Sequence, residues 1–154
     1  MEIFIFPYKK IEVGNFPEQF PSGYGGMPVT FKIEGRVIRT VFADPFTFDE
    51  FARASLDGMK SRAFKPPMWS LIDVRQVNRS IPTAEIESIV RFSASHKHMF
   101  APRGAIVCRP GTLIYGLSRM FCAMAEAENL QFEIFKSQKE AVAWLFADTD
   151  PPED

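Results

Sequence analysis

Along residues 29–43, VTFKIEGRVIRTVFA, apolar and polar positions alternate with a period of two on both sides of Glu34-Gly35. Two alternating runs joined by a short glycine turn predict an antiparallel hairpin. Asp44-Pro45 breaks the chain, and the period then changes. Phe48, Phe51, Ala52, Leu56 and Met59 recur at helical spacing behind Thr47 and Glu50, which form a capping box. MWSLIDV, residues 68–74, is a mostly apolar run of strand length, the pattern of a central strand covered on both faces. Thr83, preceded by Pro82, reads as the N-cap of a second helix that lines up Ile86, Ile89, Val90 and Ser93.

Gly104 to Cys108 is the next strand. Pro110-Gly111-Thr112 then turns the chain into TLIYGLSRMFCAMAEAE, with Leu113, Leu117, Met120, Phe121 and Met124 on one face. Gly111 supplies the turn, and Gly116 is expected at a close helix contact. QFEIFK is the last strand, and Ser137 with Glu140 starts a final helix that turns Ala141, Val142 and Leu145 inward. Trp69 and Trp144 fit buried positions. Strands alternating with helices after one hairpin predict an α/β fold, a mixed sheet of about five strands, mainly parallel beyond the hairpin and flanked by four helices.

The first 26 residues combine Phe, Tyr, Pro and Gly without sustained periodicity beyond a short strand at Glu2 to Phe6, and read as an aromatic arm. The chain therefore divides into an arm at 1–26, a domain at 27–147 and an acidic tail at 148–154. A chain of 154 residues can bury roughly two thirds of its unfolded surface in one domain. Its 46% hydrophobic and 24% charged residues point to neither disorder nor a membrane protein, and it has no apolar run of the roughly 20 residues that span a bilayer. MEIFIFPYKK places its lysines after the apolar run, the reverse of a secretory signal. Two cysteines, Cys108 and Cys122, give no disulfide framework and fit a reduced, cytoplasmic setting.

The net charge of −1 hides an uneven distribution: residues 60–119 carry 10 Lys/Arg against 3 Asp/Glu, and residues 120–154 carry 2 against 8. Without a nucleic-acid motif the basic third reads as a solvated face, and no nucleic-acid partner is expected.

The hairpin FKIEGRVIRTVFA, the strand WSLIDVRQV, the helical segment YGLSRMFCAMAE and the closing FEIFKSQKEAVAWL together resemble the SpoIIAA-like superfamily, the STAS-type domains and their CRAL-TRIO-like relatives. The likeness runs from about Val29 to Phe146. It implies a mixed sheet flanked by helices, no catalytic constellation, and action through contacts with other proteins. In the anti-sigma-factor antagonists of this fold a phosphorylatable Ser lies in an Asp-Ser-Ser-Gly-like turn before the second helix. The corresponding stretch here is NRSIPTAEI, where Thr83 falls near the acceptor position but the acidic and glycine neighbours are absent. A phosphate on Thr83 or Ser80 would act through its charge at a helix N-terminus.

Several chemistries fall away on spacing. PGTLIYG has neither the Lys-Ser/Thr of a P-loop nor a GxGxxG turn, and Ser118 in GLSRM lacks the second glycine of a nucleophile elbow and sits within a helix. His96 and His98 stand two apart on a helix, which points them to different sides. They suit the helix C-terminus better than a metal. Cys108 ends an apolar strand, the place of a small buried hydrophobe. No cofactor is called for, and no enzyme is expected.

One constellation remains, because open α/β sheets bind ligands beyond the carboxyl ends of their strands. Arg75, Arg79 and Arg109 follow strands, and Thr112 and Thr83 open helices, so these residues form a candidate anion site; Asp73 is placed to pair with one of the arginines. The reading that results is a non-enzymatic regulatory or scaffolding domain acting through protein contacts, with a homodimer through the arm from Phe4 to Tyr24. The alternative is a carrier or sensor of a small anionic or lipid-like ligand.

Overall fold

The computed structural model describes residues 2–6, 10–12 and 28–147. The remainder of the arm, with Tyr8, Phe16, Phe20 and Tyr24, and the tail at 148–154 lie outside the described residues, and with them the homodimer expected through the arm.

The expected hairpin is β3 (Val29–Glu34) and β4 (Val37–Ala43), joined at Gly35, whose φ of 56° is the left-handed turn conformation that glycine adopts without strain. There follow α1 (Phe48–Met59), β5 (Met68–Gln76), α2 (Thr83–Ser95), a short 3-10 turn (Lys97–Met99), β6 (Phe100–Val107), α3 (Leu113–Ala127), β7 (Gln131–Phe135) and α4 (Gln138–Leu145). β4, β5, β6 and β7 pair parallel in that order. Ahead of these five strands, β1 (Glu2–Phe6) and β2 (Lys10–Glu12) extend the sheet antiparallel from β3, giving the order β2-β1-β3-β4-β5-β6-β7. β1 is the short strand read at Glu2 to Phe6; β2, three residues long, carries no pattern a sequence window could register.

The sheet separates two apolar clusters. The larger packs Phe31, Ile33, Ile38 and Phe42 against residues of α1, α2 and α3. The smaller packs Leu71, Ala105 and Val107 under Ala141 and Leu145 of α4. β5 contributes to both, as expected of a central strand. Many of the 16 phenylalanines serve the larger cluster: Phe42 meets Phe46 edge-on at 4.8 Å and stacks on Phe51 at 5.6 Å, and Phe51 meets Phe92 at 5.2 Å, so β4, α1 and α2 are tied by consecutive ring contacts.

Both predicted N-caps form, each in its N-cap half: Thr47 Oγ1 accepts from Glu50 N, and Ser137 Oγ from Glu140 N, each at 3.2 Å, while the Thr47 hydroxyl donates to Glu50 Oε1 at 2.9 Å. Elsewhere close packing overrides periodicity. The inward stripe of α1 is Phe51, Ala54, Ser55 and Gly58, while Leu56 is exposed. A Cβ on Gly58 would lie 2.1 Å from Phe31, so this side of α1 has to be small. In α3 the buried residues are Ile114, Ser118, Phe121 and Ala125, and Leu113 points outward. Gly116 makes no close helix contact: a Cβ there meets nothing within 4 Å. Pro82, not Thr83, occupies the N-cap of α2, without a side-chain cap; Thr83 is the first helical residue. Trp69 and Trp144 are half-buried, leaning over the smaller cluster against Phe146 and Phe135.

Candidate functional site at the carboxyl ends of the central strands

β4, β5 and β6 end on one side of the sheet, and their register sets Asp73 level with Val41 and Val107. Arg75 and Arg109 therefore leave adjacent strands two residues beyond a common level. Leu71, Asp73 and Arg75 alternate onto the α4 side of β5, and Arg39 comes to the same side from β4. Asp73 is only 3% exposed and Arg39 only 2%.

Three charged groups meet there. Arg75 donates to Asp73 through Nε (3.0 Å to Oδ1), Nη2 (2.8 Å to Oδ2) and its backbone N–H (3.1 Å to Oδ1), while Arg39 Nη2 donates to Oδ2 at 2.8 Å. Burial pushes the Asp73 carboxyl up, but the hydrogen bonds from Arg75 and Arg39 and their charges outweigh it and hold it below the ordinary carboxylate value. The two-pronged contact is the geometry in which guanidinium and carboxylate interact most strongly. Asp73 pairs with one of the predicted arginines, as expected, and also with Arg39. In sequence Arg39 is an ordinary polar position of an alternating strand, so only the burial of both sheet faces distinguishes it.

Arg79 is engaged as well. Its Nη2 donates to Phe46 O at 2.5 Å and its Nη1 to Ser80 O at 3.1 Å. Asp44 and Glu85 carboxylates lie at 3.6 Å, and the guanidinium sits 4.6 Å above the Phe46 ring. Asp44 Oδ2 also accepts from Asn78 N at 2.6 Å, so the segment after β5 is pinned to the turn after β4. Arg109 and Thr112 are exposed, and the Thr112 hydroxyl turns back to donate to Arg109 O at 2.7 Å. Gly111, with φ 73°, makes the turn between them. Thr83 and Ser80 are both exposed at the start of α2.

The strand ends thus gather Arg75, Arg79, Arg109 and Thr112 on one rim, with carboxylates already facing Arg75 and Arg79. Cys108 and Ser118 lie beneath this rim. The Cys108 thiol is buried, which raises its pKa and keeps it protonated. His96 is far from them at the end of α2, where Nδ1 lies 2.8 Å from Phe92 O and the ring rests 4.4 Å from that of Phe92. Burial, with a smaller contribution from Glu133, pushes Cys122 up to about 11. Among the described residues no group of three His, Cys, Asp or Glu is placed to hold a metal ion, and no helix is long and apolar enough to cross a membrane.

Between the sheet and α2 and α3, just inside the rim, an apolar cavity of about 60 Å³ is lined by Phe42, Phe46, Ile81, Ile86, Ile114 and Leu117 among others.

No family model and no curated protein matches the chain. Among solved structures it is similar to an uncharacterized protein of the DUF3478 family with a SpoIIAA-like fold from Shewanella loihica PV-4. The two share 15% identity, with 77% of this chain and 92% of that one covered at a TM-score of 0.53. The likeness is one of architecture: the chain has a SpoIIAA-like α/β fold.

Proposed function

We propose that the chain is a non-enzymatic regulatory or scaffolding domain whose contact surface is the segment from Arg109 to the start of α3. The observation that carries this reading is Leu113, 57% exposed at the end of five consecutive exposed residues, Arg109 to Leu113. Burying a leucine of that exposure against a partner is favourable, and Arg109 and Arg119 are exposed on either side of it in sequence, so the fitting surface is an apolar pocket rimmed by carboxylates. The arginines nearby that would otherwise recruit an anion face Asp73, Asp44 and Glu85 instead.

A photo-crosslinking amino acid at position 113, compared with one at the exposed Arg91 on α2, tests this in cells. The expected result is a discrete protein adduct at 113 alone, and at least about tenfold weaker binding of that protein to purified Leu113→Asp chain, equivalent to ~1.4 kcal/mol. Equal adducts at both positions, or unchanged affinity of the variant, would sink the reading.

The apolar cavity inside the rim favours a second reading, a carrier whose ligand buries an apolar end there and sets an anionic end toward the exposed Arg109 at the start of α3. Native mass spectrometry of the purified chain decides it: a copurifying ligand lost in Phe46→Ala supports the carrier, and an unliganded mass in both chains opposes it.

A further inference from the structure

At the opposite end of the same sheet face lies a second cavity of about 60 Å³, between the sheet and helices α1 and α2. Its walls are aromatic, including Phe51, Phe92, Phe100 and Phe132, yet hydroxyls reach it from three elements: Thr40 on β4, Ser70 on β5 and Ser55 on α1. Thr40 and Ser55 are 4% and 1% exposed. Among the described residues no protein group hydrogen-bonds to any of these three hydroxyls, whereas Ser93, also on the wall, is occupied by Ile89 O at 2.9 Å. Buried hydroxyls are as a rule bonded to protein or to something held beside them, because leaving one without a partner is unfavourable. Thr40 and Ser55 are buried and Ser70 is half-buried; none of their oxygens is sealed off from accessible space, so the three open onto the cavity, where an oxygen atom held beside them would complete their hydrogen bonding.

We propose that this cavity binds a small phenolic molecule, its hydroxyl directed at Thr40, Ser55 and Ser70 and its ring among the phenylalanines. On the scale in which ~10–15 Å³ admits one water and ~150 Å³ admits benzene, the enclosed space takes the oxygen-bearing edge of a ring, and the remainder lies toward the mouth. Ring edges and faces of the phenylalanine walls suit an aromatic ligand. The mouth lies at the end of α2, where the lining residues Lys97 and Pro102 are exposed and His96 is half-buried. An acidic group across the ring from the hydroxyl would meet the Lys97 ammonium there, which makes a hydroxybenzoic acid the preferred member of the class. The site is independent of the contact surface around Leu113.

Protein-observed NMR titration of the full chain with 4-hydroxybenzoate, phenol and benzoate tests the proposal. The expected order is 4-hydroxybenzoate tightest, phenol next, and benzoate at least about tenfold weaker than 4-hydroxybenzoate, because benzoate leaves the three hydroxyls unpaired. Shifts should centre on residues 40, 55 and 70. Thr40→Val with Ser55→Ala preserves volume closely and should erase the preference for the hydroxyl. Lys97→Gln should weaken 4-hydroxybenzoate while leaving phenol unchanged. No saturable binding of either phenol to the parent chain would overturn the proposal and leave the cavity to water, and a preference for the hydroxyl that survives the double variant would overturn it as well.

Discussion

Asp73 shows how much a single carboxylate can organise. Two guanidinium groups, Arg39 and Arg75, donate to it in a region almost closed to solvent. Removing one member of a buried ionic cluster leaves the others without compensation, so Asp73→Asn should cost about 3–5 kcal/mol in chemical denaturation at neutral pH. The pH dependence has a definite sign. The folded carboxyl has a lowered pKa, so on acidification the unfolded chain takes up the proton first. The stabilisation is present above the unfolded value, near pH 4, and is lost as pH falls through the folded one. The stability of the parent chain should therefore fall toward that of Asp73→Asn below about pH 4. A gap between the two chains that stays constant down to acid pH would contradict this. The pairing of Asp73 with an arginine could be read from WSLIDVRQV; its second partner could not, because Arg39 lies 34 residues away on a neighbouring strand.

At the scale of an element, helices α1 and α3 separate two meanings of glycine. Gly58 faces the sheet and is pressed on by Phe31, whereas Gly116 faces outward into open space. Gly58→Ala should destabilise by ~1–3 kcal/mol, since Phe31 is itself buried and has little room to yield. Gly116→Ala should stabilise by roughly 0.5–1 kcal/mol by removing backbone freedom from a helix interior. Opposite shifts of the thermal midpoint are the expected outcome, and equal shifts would show that the two faces are misplaced. The helices themselves were legible in the caps at Thr47 and Ser137, whose side chains bond as the spacing predicts. Their inward faces were less so. Periodicity weights large apolar residues, and so favours Leu56 and Leu113, while the space between α1 and the sheet admits only Ala54, Ser55 and Gly58 beside Phe31.

For the whole molecule, the opening residues belong to the sheet. β1 covers the hydrogen-bonding edge of β3, with Phe6 paired to Phe31 and Ile3 to Glu34, and β2 covers β1 in turn. Deleting residues 1–12 should therefore uncover β3, a strand buried along nearly its whole length, and produce both a lower denaturation midpoint and concentration-dependent association in light scattering. A truncated chain as stable and as dispersed as the parent would show that the added strands are dispensable. The same topology sets different features at the two ends of the sheet: a rim of arginines at the carboxyl ends of the central strands and an aromatic, hydroxyl-bearing cavity toward the other end.

Period-two and helical spacing, the glycine turn at Gly35 and the two capping boxes determined the succession of strands and helices, because each depends on residues within a few positions of one another. The parallel order of the central strands followed from that succession. What only the tertiary structure decided are relations between distant segments: Arg39 turned toward Asp73, Arg79 held by the turn after β4, Leu113 left outside, and Thr40, Ser55 and Ser70 brought to one cavity. Burial and charge pairing are properties of neighbours in space, and along the chain these residues look like any other polar or apolar position of a strand or helix.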